Sequence, residues 1–179
     1  MKIKLSAGIP GYCNEYYSWE SIVESLPQKG TLLEVGSGCG LSAVTFAEKF
    51  AETNRDYTIH TVDIFKGVSI VDKTYTGDQQ KKYLDRILDS WDNISYTECD
   101  FFKREWDVPT VFFYDGEHSY DSTLKALQMM QEAEVILVDD YTKHFPDVKK
   151  AVEYFAEEAD KELTVFESLW TGCARLTNR

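Results

Sequence analysis

Hydrophobic positions along this chain alternate between short dense runs and longer stretches with a helical repeat. Residues 31–35, 57–64, 94–99, 110–114 and 135–138 are apolar runs of strand length, the second alternating with polar residues. Between them, 41–51, 78–91, 119–132 and 148–158 space apolar side chains three and four residues apart. In 78–91 that spacing puts Tyr83, Leu84, Ile87, Leu88 and Trp91 on one face. A shorter helix is predicted over 16–26, with Trp19, Ile22, Val23 and Leu26 aligned and Pro27 and Gly30 ending it. The tail holds two short strands, 163–169 and 173–176, around a Thr171-Gly172 turn that suits an antiparallel pair. Strands alternating with helices predict an α/β protein with a mostly parallel seven-stranded sheet, helices on both faces and a C-terminal antiparallel hairpin. An eight-fold α/β barrel needs about 250 residues, and 179 are too few.

The length fits one domain, with residues 30–179 as its body and 1–29 as an N-terminal extension on the substrate side. A hydrophobic content of 43% is enough apolar surface to offset ordering entropy, which excludes a disordered chain. No apolar run approaches the ~20 residues of a membrane helix, and the N-terminus lacks the apolar core of a secretion signal. The expectation is a soluble cytoplasmic protein without a membrane partner. Cys13, Cys39, Cys99 and Cys173 are widely spaced, without a C-x-x-C pair, and are expected to be free thiols. A net charge of −12, with scattered lysines and arginines, argues against nucleic acid as a partner and favours a small acceptor. The aromatic-rich segment 12–19 is suited to line either a pocket or a homodimer contact.

The strongest motif is Leu33-Glu34-Val35-Gly36-Ser37-Gly38-Cys39-Gly40, between the first strand and the first long helix. Ligands of α/β sheets sit beyond the carboxyl ends of the strands. Glycines there admit close backbone approach, and a helix N-terminus offers unpaired amides to a carboxylate. A dinucleotide fingerprint, G-x-G-x-x-G, would need its third glycine at Leu41. Here it stands at Gly40, the E-x-G-x-G-x-G spacing of S-adenosylmethionine enzymes. Glu34 is placed to accept from the donor's amino end, and Gly36, Ser37, Gly38, Gly40 and Ser42 to surround it. Asp63 ends the second strand, where a carboxylate can take both ribose hydroxyls. Asp100 is a candidate acceptor for the adenine amino group, with Phe101 against the ring. The plainer alternative is a structural strand-to-helix turn beside solvated aspartates.

With these residues the chain resembles the class I S-adenosylmethionine-dependent methyltransferases, whose Rossmann-like fold carries the same closing hairpin. Within them it is similar to the metal-dependent small-molecule O-methyltransferases of the macrocin and novobiocin type. Tyr114-Asp115-Gly116-Glu117-His118-Ser119-Tyr120 and Val138-Asp139-Asp140-Tyr141 carry that closer likeness. It implies Asp115, Asp139 and Asp140 as ligands of a metal, Mg²⁺ by their all-oxygen character, with Asp115 also facing the donor. Such an ion would acidify the acceptor hydroxyl and hold it in line with the methyl group. The alternative for these aspartates is helix capping. The likeness leaves two candidate bases, His118 and Glu117, and the expected acceptor is a small hydroxylated molecule such as a sugar or polyol. Lys143 and His144 are placed to line the pocket, and 66–76 to form a flap over the donor. Two other readings compete: a cofactor-binding module without catalysis, and a nucleic-acid methyltransferase. The latter needs an N/D-P-P-Y/F tetrapeptide where this chain has Asp115-Gly116-Glu117-His118.

Overall fold

The computed structural model describes residues 6–11, 19–70, 72–167 and 172–179. The start of the helix predicted over 16–26, most of the aromatic segment 12–19, Cys13 and Thr171 of the closing turn lie outside them.

Seven strands form one sheet in the order β5-β2-β1-β6-β7-β9-β8: β1 (Lys29–Val35), β2 (Asp56–Asp63), β5 (Ile94–Glu98), β6 (Val111–Tyr114), β7 (Val135–Val138), β8 (Lys161–Glu167) and β9 (Gly172–Asn178). The first five pair in parallel, and β9 inserts antiparallel between β7 and β8. The expected α/β architecture with its closing hairpin is therefore borne out. A second, two-stranded sheet, β3 (Val68–Ile70) with β4 (Lys73–Tyr75), lies in the segment expected to be a flap. Strands of three residues are too short to show a period.

Strand alternation divides the core in two. Val111 and Phe113 of β6 and Val135 and Leu137 of β7 point to one face; Phe112, Tyr114, Ile136 and Val138 point to the other. The first face packs against α1 (Trp19–Glu24), α2 (Leu41–Glu52) and α3 (Gly77–Leu88), through Ile22, Phe46, Phe50, Leu84 and Ile87. The second packs against α4 (Tyr120–Met129) and α5 (Pro146–Glu158), through Leu127, Val148, Val152 and Phe155. Each fully buried Leu or Phe contributes about 1.5–3 kcal/mol relative to exposure, so the two-sided core holds β1, β6 and β7 at the centre. Among the described residues no helix is long and apolar enough to cross a membrane. Cys39, Cys99 and Cys173 are free thiols.

Helix starts follow local chemistry. Thr76 and Gln79 form a capping box at α3, each side chain taking the other's end of the turn. Ser119 caps α4 by accepting from the Ser122 amide, and Pro146 opens α5. Predicted 78–91 and 119–132 end earlier than expected, at Leu88 and Met129. Trp91 still reaches the core from the loop beyond α3.

Candidate active site

Register builds the site. Val35 is level with Val62 on one side and with Tyr114 on the other, and Tyr114 is level with Val138. The next residue of each strand or loop is Gly36, Asp63, Asp115 or Asp139. The ladder carries on through them: Gly36 N donates to Val62 O (2.9 Å), Asp115 N to Val35 O (2.9 Å) and Asp139 N to Tyr114 O (3.0 Å). Three carboxylates and the glycine loop thus share the carboxyl edge of the sheet, flanking β1, where the strand order reverses. Above them lies a cavity of about 680 Å³, within the usual range for small-ligand sites.

The glycines serve different ends. Gly36 (φ +97°) passes so close to the Asp115 carbonyl that a Cβ would stand 1.8 Å from its oxygen. Gly38 (φ +52°) has nothing within 4 Å of its Cβ direction and opens onto the cavity. Gly40 (φ +86°) does not line it; a side chain there would meet Leu84 and Ile87 of α3. Asp63 accepts from Gly38 N (3.0 Å) and Phe65 N (2.7 Å), which ties the loop to the end of β2. A carboxylate has about four acceptor positions, so these two bonds leave capacity for a diol. Burial raises the Asp63 pKa, against which the amides of Phe65, Gly38 and Ile64 work.

Glu34 sits behind this wall. It is completely buried and accepts from the Ser42 hydroxyl, and it is Ser42 that lines the cavity. Its Oε2 has no hydrogen-bond partner among the described residues. Burial pushes its pKa up to about 7. Ser37 also lines the cavity, its hydroxyl held by Thr61.

Asp100 and Phe101 are not brought to the cavity. Asp100 starts a short 3-10 turn by accepting from Phe102 N (3.0 Å) and pairs with Lys103 (3.3 Å). Phe101 is buried against Phe112 and Trp106 in the core. Lys143 and His144 are exposed, and Phe145, next in sequence, takes the place on the cavity wall.

Around the acidic edge the structure differs from the expected triad of aspartates. Asp115, His118 and Asp140 offer ligand atoms that all lie within 4.8 Å of one another. Asp139 lines the same cavity outside this cluster and accepts from the Asp140 amide (2.8 Å). The backbone decides the exchange: Asp140 adopts φ +55°, a left-handed conformation that Asp tolerates better than most residues. It stands with its carboxylate 3.0 Å from His118 Nε2. Asp115 is 4.0 Å from the same nitrogen. Asp115 and Asp140 together raise the His118 pKa to about 10, while burial raises that of Asp115. Among the described residues that line the cavity His118 is the one basic side chain, beside Asp63, Asp115, Asp139 and Asp140, an electrostatic setting that fits a cation. Glu117 points elsewhere: it is exposed, off the cavity, and accepts from the Ser122 hydroxyl (2.6 Å).

The remaining wall comes from the expected flap segment and N-terminal extension, and from Gln80, which had no signal in the sequence. Val68, Ser69 and Ile70 of the small hairpin, Pro10 and Gly11, and Gln80 all line the cavity. Gln80 is 1% exposed; its Nε2 donates to Gly38 O (3.1 Å) and its Oε1 accepts from Gly67 N (3.0 Å). A polar residue in the first turn of a helix looks unremarkable until the loop and hairpin close around it.

Residues 33–141 match the family model of a methyltransferase domain. No curated protein is significantly similar in sequence. Among solved structures, the O-methyltransferase NovP superposes with a TM-score of 0.63 at 21% identity, over 89% of this chain and 76% of that one. A Podospora anserina methyltransferase, PaMTH1, bound to S-adenosylhomocysteine, gives 0.62 at 13% identity over 90% and 76%. A precorrin-6y C5,15-methyltransferase from Geobacter metallireducens gives 0.62 at 13% identity over 89% and 87%. At these identities the likeness is one of fold.

Proposed function

Since the chain belongs to the methyltransferase domain family, we propose that it transfers the methyl group of S-adenosylmethionine to a hydroxyl of a small acceptor, assisted by a divalent cation. The observation that carries this reading is the shared cavity: the open glycine at Gly38 and the strand-end Asp63 on one side, and the Asp115, His118 and Asp140 cluster on the other.

Gly36, Ser37, Gly38, Ser42, Asp63 and Asp115 form the donor side, with Asp63 for the ribose hydroxyls. Glu34 acts through Ser42, holding the first turn of α2 against the end of β1. In the transfer the methyl carbon leaves sulfur for the acceptor oxygen. Sulfur keeps the electron pair of the broken bond, and the acidified hydroxyl gives its proton to a base or to solvent water. Asp115 and Asp140, with Asp139 beside them, would hold the cation. Bound there, it would lower the pKa of an acceptor hydroxyl. Of the two candidate bases only His118 is at the cavity, where the Asp115 and Asp140 carboxylates raise its pKa.

Calorimetry should show S-adenosylhomocysteine binding. Label from methyl-labelled donor should appear on a vicinal diol acceptor only when a divalent cation is present. A chelator should stop transfer and leave donor-product binding intact. Transfer at full rate with chelator would overturn the cation's part, and absence of S-adenosylhomocysteine binding would overturn the whole reading.

A further inference from the structure

We infer that His118 is itself a ligand of the cation, through Nε2, and that the site is therefore built for a first-row transition ion in preference to Mg²⁺. This rests on the cation-assisted reading above.

Spacing is the first ground. Nε2 lies 3.0 Å from one carboxylate oxygen and 4.0 Å from another. For octahedral bonds of about 2.1 Å, neighbouring ligand atoms stand about 3.0 Å apart and opposite ones about 4.2 Å. Nε2 thus stands at such separations from both carboxylates, and the three ligand atoms lie within 4.8 Å of one another. The second ground is the state of the nitrogen. Nε2 is closed to solvent and faces the carboxylates of Asp140 and Asp115. The third ground is orientation. The ring packs on Phe145 with centroids 4.4 Å apart, which braces it. Asp140 is brought to it by the left-handed turn at φ +55°.

Donor chemistry then sets the ion. Mg²⁺ favours oxygen ligands and gives up water reluctantly. Imidazole beside two carboxylates suits ions further along the first transition row. A nitrogen whose lone pair is held by an ion has none to accept a proton. His118 therefore helps position the ion, and does not deprotonate the acceptor.

Mn²⁺ titrated into the full chain in the presence of S-adenosylhomocysteine, followed by electron paramagnetic resonance, tests this without a turnover assay. The bound ion should show ¹⁴N coupling in pulsed spectra. His118→Gln should lose that coupling and bind Mn²⁺ at least tenfold more weakly. Its Mg²⁺ affinity should change less than threefold, and its S-adenosylhomocysteine affinity should stay at the wild-type value, which shows an intact fold. Asp139→Asn should keep the nitrogen coupling. Bound Mn²⁺ without nitrogen coupling in the wild type would overturn the inference and return His118 to the part of base. Absence of any bound Mn²⁺, with S-adenosylhomocysteine still binding, would overturn the cation-assisted reading and this inference with it.

Discussion

Gly36 and Gly38 stand two residues apart in the same loop, and both have positive φ, yet they answer different demands. At Gly36 a methyl group would sit 1.8 Å from the Asp115 carbonyl oxygen, in a residue whose N–H is bonded to Val35 O and which cannot retreat without straining that bond. At Gly38 the space is open. A left-handed alanine costs about 1–2 kcal/mol, which a domain of this size survives. Gly38→Ala is expected to melt within several degrees of the wild type and to bind S-adenosylhomocysteine more weakly, since its methyl enters the donor cavity. Gly38→Arg should abolish binding while remaining folded. Gly36→Ala is expected to lose cooperative unfolding altogether. Thermal melts and calorimetry on the three variants check this; a Gly36→Ala protein that melts like the wild type would contradict the tight strand-end approach.

Among the elements, the β3–β4 hairpin depends most on a single partner. Its entry and exit are pressed together: a Cβ at Gly77 would stand 1.9 Å from the Phe65 carbonyl oxygen, and one at Gly67 2.9 Å from that of Tyr75. Gln80, one turn into α3, then bridges hairpin and glycine loop through the two ends of one amide. Gln80→Leu removes both bonds and should raise amide exchange across 66–70 and 72–76. Donor-product affinity should fall about tenfold, the worth of one or two hydrogen bonds. Gln80→Glu separates the halves. Its carboxylate still accepts from Gly67 N but repels Gly38 O, so hairpin protection should persist while affinity drops. Equal exchange in both variants would mean that the hairpin is held by its own side chains and not through α3.

For the molecule as a whole, the buried Glu34 on the central strand makes stability depend on pH. Its carboxyl is raised from an ordinary 4.5 to about 7 by burial. Between those values the folded state holds more protons than the unfolded one, so stability falls as pH rises through the window. The shift corresponds to stability on the order of 3 kcal/mol lost by pH 7 and above. Asp63 and Asp115 shift in the same direction and add to the slope. Glu34→Gln should flatten the part between pH 4.5 and 7 and be more stable than the wild type near pH 8. Denaturant melts across that range provide the check. An unchanged slope in the variant would show Glu34 to be ionised and compensated in the folded protein.

What the chain carried locally was readable along it. The strands buried on both faces are continuous apolar runs, the helices show their repeat, and the glycine loop follows the first strand. Parallel pairing of such units puts strand ends at one edge, so the neighbourhood of Gly36, Asp63, Asp115 and Asp139 follows from the fold class. Tertiary structure alone decided which side chains meet there. Glu34 lies behind Ser42 because strand alternation turns it toward α2. Asp100 and Phe101 serve a turn and a core, since their loop runs away from the cavity. Gln80, Phe145 and the three-residue strands join the wall through contacts that leave no period in the sequence. His118, and not Asp139, has a ligand atom grouped with those of Asp115 and Asp140, where Asp140 takes a left-handed φ. Periodicity reports which face a residue buries; a cavity is made where separate loops close on each other, and that closure depends on single dihedral angles that residue spacing does not encode.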